Sequence, residues 1–182
     1  NPLVALYFAC EKSNEDNNPA EVLIFNPSIN DIKYYDSDTV CILSNLAKCE
    51  RTLKYAERED INTNNEGGRL LHLIKEDKPH FINNIDPKDF NRTLIVKPIN
   101  NNNRVKRQSG HFFIFGFNQE VTNPSELDCF LKIDKKTIKI LIEPNAMKSI
   151  MQELDHININ RESLFPEIEK GTSYIKEIYN NK

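Results

Sequence analysis

The amino-acid sequence predicts an α+β fold, with a mixed, largely antiparallel sheet flanked by four to five helices. Two observations carry this prediction. Apolar side chains recur every three to four residues in parts of the first half and near the C-terminus, while short runs rich in β-branched and aromatic residues dominate the region between. The 182 residues can bury one sizeable core, and no internal repeat divides them, so we predict a single domain over 1–182.

Three helices are predicted in the first half. The segment PLVALYFACEK at 2–12 is apolar on nearly all sides, so we expect an almost completely buried helix. A second helix begins at Ser37 or Asp38, either of which can cap it, and runs to about Arg58. The paired glycines of INTNNEGG at 61–68 indicate a loop, after which RLLHLIKEDK resumes a short helix.

Strands and two further helices are predicted from there on. We expect the runs EVLIF, TLIVK, HFFIFGF and TIKILIE to form one central sheet. Pro144 suits the first turn of a helix, and Met147, Ile150, Met151 and Leu154 follow it on one face. The last helix is predicted to begin near Phe165-Pro166.

Composition restricts the classes of partner. The chain has 24 Lys+Arg and 27 Asp+Glu, so its formal net charge of −3 gives no global field that would attract nucleic acid. No apolar stretch approaches the roughly 20 residues of a membrane span. The four cysteines form no CxxC pair and the four histidines no HxH or HExxH pattern, so no metal site is predicted. We therefore expect a cytoplasmic protein with reduced thiols and no membrane or nucleic-acid partner.

The segment RVKRQSG at 104–110 carries the candidate ligand-binding residues. Arg104 offers a planar fork of donors for a phosphate or carboxylate, and Gln108 supplies both a donor and an acceptor. Gly110 would let the backbone approach a ligand closely. The alternative interpretation is that Arg104 and Gln108 satisfy backbone groups where the next strand begins, and that Gly110 avoids a clash. Both interpretations stay open at this point.

Glu143 is a second candidate for catalysis. It ends the strand-like run TIKILIE, where carboxylates often act as catalytic groups. The same position also precedes a predicted helix, whose dipole favours a carboxylate. The phenylalanines of HFFIFGF could stack on nucleic-acid bases, but alternation in a strand, with one set in the core and the other covered by a helix, explains them more simply.

Three stretches resemble, in order, the later part of the FRG domain, a prokaryotic domain named after an N-terminal Phe-Arg-Gly motif. They are the opening PLVALYFA, the segment from Arg104 through Gln108 and Gly110 to Phe112, and the closing LFPEIEKGTSYIKEIY. In that family a His-Gly pair and an Arg-Leu-Leu-Asp motif precede PLVALYFA. We therefore expect an upstream segment, and we expect it or another chain to pack on residues 3–9.

The resemblance implies two classes of function. In the first, the protein is an ADP-ribosyltransferase-like enzyme of a defence or toxin-like system that uses NAD. Arg104, Gln108 and Gly110 would then hold the cofactor, while Gln108 and Glu143 would act in catalysis. In the second, the chain is a non-catalytic module that binds a nucleotide or a protein. Fold analogy does not decide between them.

Overall fold

The structure is a computed structural model, and it describes residues 1–11, 18–49, 61–99, 101–118, 123–130, 132–133 and 136–166. Within these ranges it confirms the predicted α+β class. The helices are α1 (Pro2–Glu11), α2 (Asp38–Leu46), α3 (Asn65–Asp77), α4 (Asn103–Gln108), α5 (Pro144–His156) and α6 (Arg161–Leu164). The strands are β1 (Ala20–Leu23), β2 (Ile32–Tyr34), β3 (Thr93–Lys97), β4 (Phe112–Phe115), β5 (Lys132–Ile133), β6 (Lys136–Thr137) and β7 (Lys139–Ile142).

The expectation of one central sheet is wrong. Strands β1 and β7 pair antiparallel with each other, while β2 runs parallel and β4 antiparallel to β3, and β5 and β6 form a short hairpin. The EVLIF and TIKILIE runs therefore belong to one sheet and the TLIVK and HFFIFGF runs to another. The sequence pattern marks each strand but carries no information on which strands pair across a long separation.

The chain divides into two compact units, each with its own core. The first unit contains residues 1–26, 100–110 and 130 onward, and the second contains 27–99 and 111–129. The single domain predicted over 1–182 stays a prediction.

The core of the second unit lies between the sheet β2-β3-β4 and two helices. Leu94 and Val96 of β3 point to this side, where α2 and α3 bury their apolar stripes. A 3-10 segment (Pro87–Asn91) adds Phe90, whose ring stacks on that of Phe117 at 5.8 Å between centroids. The other buried members include Ile42, Leu43, Leu46, Ile61, Leu70, Ile74, Phe81 and Ile85.

Helix α2 begins as predicted and ends earlier. The hydroxyl oxygen of Ser37 accepts a hydrogen bond from the backbone N–H of Val40 at 3.4 Å, which confirms Ser37 as the N-cap. The helix ends at Leu46 instead of near Arg58. Residues 50–60 lie outside the described ranges, as does most of the helix predicted from Phe165 onward.

In the first unit, α1 packs on α5, on residues 164–165 and on the β1-β7 sheet. Pro144 occupies the first turn of α5, and Met147 and Leu154 are buried, as predicted. The expected near-complete burial of α1 is wrong. Val4, Tyr7 and Cys10 are buried, but Leu3 and Phe8 keep 39% and 41% of their surface exposed, because the described neighbours cover one side of the helix.

Helix α3 includes the two glycines that the sequence analysis assigned to a loop. The side-chain oxygen of Asn64 accepts a hydrogen bond from the N–H of Gly67 at 2.7 Å, so the helix begins at Asn65. A β-carbon added at Gly67 would overlap the carbonyl oxygen of Ile61, whereas one added at Gly68 would meet nothing within 4 Å. Gly67 is therefore required by a close backbone approach, and packing places no such demand on Gly68.

The two glycines provide a matched pair of variants. Gly67→Ala should lower the free energy of unfolding by about 1–3 kcal/mol, because the new methyl group must displace backbone. Gly68→Ala should leave it unchanged or raise it by up to about 1 kcal/mol, because alanine is the better helix former. Urea unfolding followed by circular dichroism measures both. Equal changes in the free energy of unfolding for the two substitutions would contradict the close approach of Gly67 to the backbone of Ile61.

Candidate functional site

The segment RVKRQSG forms the short helix α4, not a loop leading into a strand. The side-chain oxygen of Asn102 caps it by accepting from the N–H of Arg104 at 2.8 Å. The helix ends where Ser109 adopts the left-handed conformation, with φ 51° and ψ 39°. The N–H of Gly110 then donates to the carbonyl of Val105 at 3.2 Å. Arg104 and Gln108 therefore lie on a capped short helix, and Gly110 follows its C-terminal end.

The structure brings Arg104 and Gln108 together against the end of α6. They are four residues apart on α4 and thus on the same side of the helix. The guanidinium of Arg104 lies 4.8 Å from the ring centroid of Phe165, and the amide nitrogen of Gln108 donates to the carbonyl of Leu164 at 3.2 Å. Arg107 donates to the carbonyl of Ser163 at 3.1 Å. These contacts satisfy the carbonyls at the end of α6.

Gly110 and Glu143 have different surroundings from those residues. A β-carbon at Gly110 would meet nothing within 4 Å, and the left-handed position is taken by Ser109, so neither a clash nor backbone conformation requires this glycine here. Glu143 lies between β7 and α5, where it is the N-cap residue without a side-chain capping hydrogen bond. A shared catalytic role of Gln108 and Glu143 stays a prediction.

A cleft of about 610 Å³, lined mostly by residues with polar side chains, lies between the segment that follows α2 and the first turns of α3. Each basic side chain in its wall already has a carboxylate partner; the pairs are Lys48–Asp77 at 3.0 Å, Arg69–Glu66 at 3.5 Å and His72–Glu76 at 3.3 Å. Burial raises the pKa of the Cys49 thiol in the same wall, and Glu66 adds to that effect. Cys49 is therefore protonated near neutral pH and a poor nucleophile.

Metal ligation has no support in the described part of the chain. No group of three or more His, Cys, Asp or Glu side chains in these ranges is arranged to hold a metal ion.

The phenylalanines of HFFIFGF are divided between two environments. Phe117, which follows the end of β4, is in the core, although strict alternation would place it on the same side as Phe113 and Phe115. Phe113 and Phe115 lie on the opposite side of β4, with ring centroids 6.2 Å apart, and Phe115 keeps 42% of its surface exposed. The expectation that a helix covers this second set is therefore wrong for Phe115.

The strand register places seven side chains on one face of the sheet, which we call the outer sheet face. Ile32, Ile95 and Phe113 form a row across the three strands, with Tyr34 beside Lys97 on one side and Thr93 beside Phe115 on the other. Tyr34 and Phe115 are exposed, at 64% and 42% of their surface, while the other five are half-buried. The core residues Leu94 and Val96 point to the opposite face, where α2 and α3 pack.

The two ends of the outer sheet face differ in polarity. At one end the hydroxyl oxygen of Thr93 lies 2.8 Å from the hydroxyl oxygen of Ser125 and 2.9 Å from the carbonyl oxygen of Glu126, both within hydrogen-bond distance. At the other end the ammonium of Lys97 lies 5.3 Å from the ring centroid of Tyr34. Within the described ranges Lys97 has no ion pair. The Tyr34 ring and the Lys97 ammonium, which has no carboxylate partner among the described residues, thus border the apolar row.

The sequence analysis missed this surface because it did not predict β2. The signal was present in IKYY at 32–35, whose residues favour strands, but the run is only as long as a turn. Without β2, Tyr34 could not be placed beside β3.

Comparisons with protein-family models, with curated proteins and with solved structures find no match to this chain. The resemblance to the FRG domain therefore stays a prediction that rests on the residues quoted above. Among the described helices, none combines the length and the apolar character needed to cross a membrane.

Proposed function

We propose that this chain is a non-catalytic protein-binding module whose partner packs on the outer sheet face. A sheet with one face on the core and one in water normally alternates apolar and polar residues along each strand. Strands β2, β3 and β4 depart from this rule, because their outward positions are mostly isoleucine, tyrosine and phenylalanine. This contiguous apolar face is the observation that carries the proposal.

The composition of the face suits recognition of a protein. Tyrosine is enriched in the energetically dominant parts of protein interfaces, since its ring buries a large area while its hydroxyl keeps a hydrogen bond. Single exposed apolar residues are ordinary, whereas a row that continues across three strands is typical of an interaction surface.

The NAD-using enzyme implied by the FRG resemblance is a separate proposal. The contacts of Arg104 and Gln108 with residues 164–165 give both side chains a structural reason to be present. These contacts make the binding module the better-supported function. Packing of another segment on residues 3–9 also stays a proposal, supported by the exposure of Leu3 and Phe8.

Photo-crosslinking tests the protein-binding proposal. We expect p-benzoylphenylalanine in place of Tyr34 to give an adduct of discrete mass in extract of the cells that make the protein. The same probe in place of Ile82, an 81% exposed apolar residue of the second unit, should not give that adduct. Phe115→Asp should abolish the adduct at position 34, because a carboxylate on the face resists desolvation. Identical adduct patterns at both positions, or no adduct at position 34, would contradict the proposal.

Nicotinamide release tests the enzyme proposal. We expect the full chain, incubated with NAD and cell extract as acceptor, to release no nicotinamide detectable by mass spectrometry. Arg104→Ala should lower the free energy of unfolding by about 0.5–1 kcal/mol through loss of the contact with the Phe165 ring. Release that disappears in Arg104→Ala and Gln108→Ala, yet persists in the control Lys106→Ala, would instead favour the enzyme.

A further inference from the structure

We propose that the segment bound on the outer sheet face is an amphipathic α-helix with an acidic residue that pairs with Lys97. This inference rests on the protein-binding function proposed above and specifies the chemistry of the partner. It follows from the dimensions of the face and from its one charged side chain.

The dimensions of the face match one short helix. Three strands spaced about 4.8 Å apart present a surface about 10 Å across, which is close to the diameter of a helix with its side chains. The longest strand, β3 (Thr93–Lys97), has five residues and spans about 17 Å, or roughly three helical turns. An apolar stripe at i, i+3, i+4, i+7 and i+11 covers about 16 Å of that length.

A helix fits the position of the apolar groups better than an added strand. Strand addition uses the backbone groups at a sheet edge for affinity. Here the apolar side chains lie on the face of the sheet, in the row Ile32, Ile95 and Phe113. The opposite face of the same sheet already packs helices α2 and α3, so its twist accommodates helices.

Lys97 determines the charge of the partner. The other six side chains of the face carry no charge, and the ammonium of Lys97 is close to the Tyr34 ring without an ion pair in the described ranges. A partner that covers the face removes water from this ammonium, which is costly unless a carboxylate replaces that water. One lysine and a net charge of −3 offer little for nucleic acid, whose affinity depends on several phosphate contacts.

A display selection tests the inference on the full chain. The library consists of helical peptides of about three to four turns, with an apolar stripe and one freely varied position at its border. Against the unmodified chain, we expect Asp and Glu at the varied position to be enriched at least about tenfold over Lys and Arg, which corresponds to about 1.4 kcal/mol. Lys97→Glu should reverse this order, and Lys97→Gln should remove it.

The control is Lys75→Glu, which makes the same charge change on α3, the helix that packs on the opposite face. It should leave the enrichment unchanged. Enrichment of no helical binder, or equal enrichment of acidic and basic residues, would overturn the inference. So would a fluorescent single-stranded oligonucleotide whose binding is lost in Lys97→Glu, since that result assigns the face to nucleic acid. If crosslinking at position 34 succeeds while the selection fails, the protein-binding proposal stands and the inference of a helical, acidic partner is overturned.

Discussion

The arrangement of the second unit depends on the hydrogen bonds of Arg92, the residue that precedes β3. Its guanidinium donates to carboxylate oxygens of Asp31 at 2.9 Å and Asp89 at 3.0 Å, and to the carbonyl of Asn30 at 3.0 Å. Its own carbonyl accepts from the N–H of Gly116 at 2.8 Å and from the hydroxyl of Ser125 at 3.1 Å. One residue thus links the segments that precede β2 and β3 to the end of β4.

The Arg92 guanidinium is partly buried, so its hydrogen bonds must replace the water that burial removes. Burial alone would lower the pKa of Arg92, but the hydrogen bonds that it donates to Asp31 and Asp89 outweigh burial and raise the pKa above its usual range. The guanidinium is therefore a permanent cation held by two carboxylates. We call Arg92, its hydrogen-bond partners and Gly116 the Arg92 junction. The backbone at Gly116 passes so close to Phe90 that a β-carbon at position 116 would overlap the carbonyl of Phe90. The same carbonyl accepts a hydrogen bond from the N–H of Phe117 at 2.6 Å. This junction fixes β4 beside β3 and thereby assembles the outer sheet face.

Features that depend on neighbouring residues could be predicted from the sequence. Ser37 and Pro144 mark helix starts through local geometry, and the apolar stripe of α5 follows from its periodicity. The division of the strands into separate sheets could not be predicted, since pairing joins residues such as Glu21 and Leu141 that are far apart in the chain. The reason for a glycine at position 67 could not be predicted either, because it lies in a close approach to the backbone of Ile61 that composition does not reveal.

The candidate site shows the same division between local and distant information. The spacing of Arg104 and Gln108 was visible in the sequence, but their partners in residues 164–165 lie more than fifty residues away, with Gln108 and Leu164 separated by 56. Alternation in HFFIFGF would group Phe117 with Phe113 and Phe115, yet Phe117 is in the core because it lies beyond the end of β4. Which element covers Phe115 is likewise a tertiary property. The outer sheet face required β2, and β2 is too short to be distinguished from a turn by its pattern.

The central claim is that Tyr34 and Phe115 form a solvent-accessible apolar face while Phe90 and Phe117 close the core beneath it. Hydroxyl-radical footprinting of the full chain, read by mass spectrometry, measures the accessibility of all four rings in one experiment. We predict rapid oxidation of Tyr34 and Phe115 and strong protection of Phe90 and Phe117. Protection of Tyr34 and Phe115 to the level of Phe90 would contradict the claim, because the face would then already be covered within the chain itself.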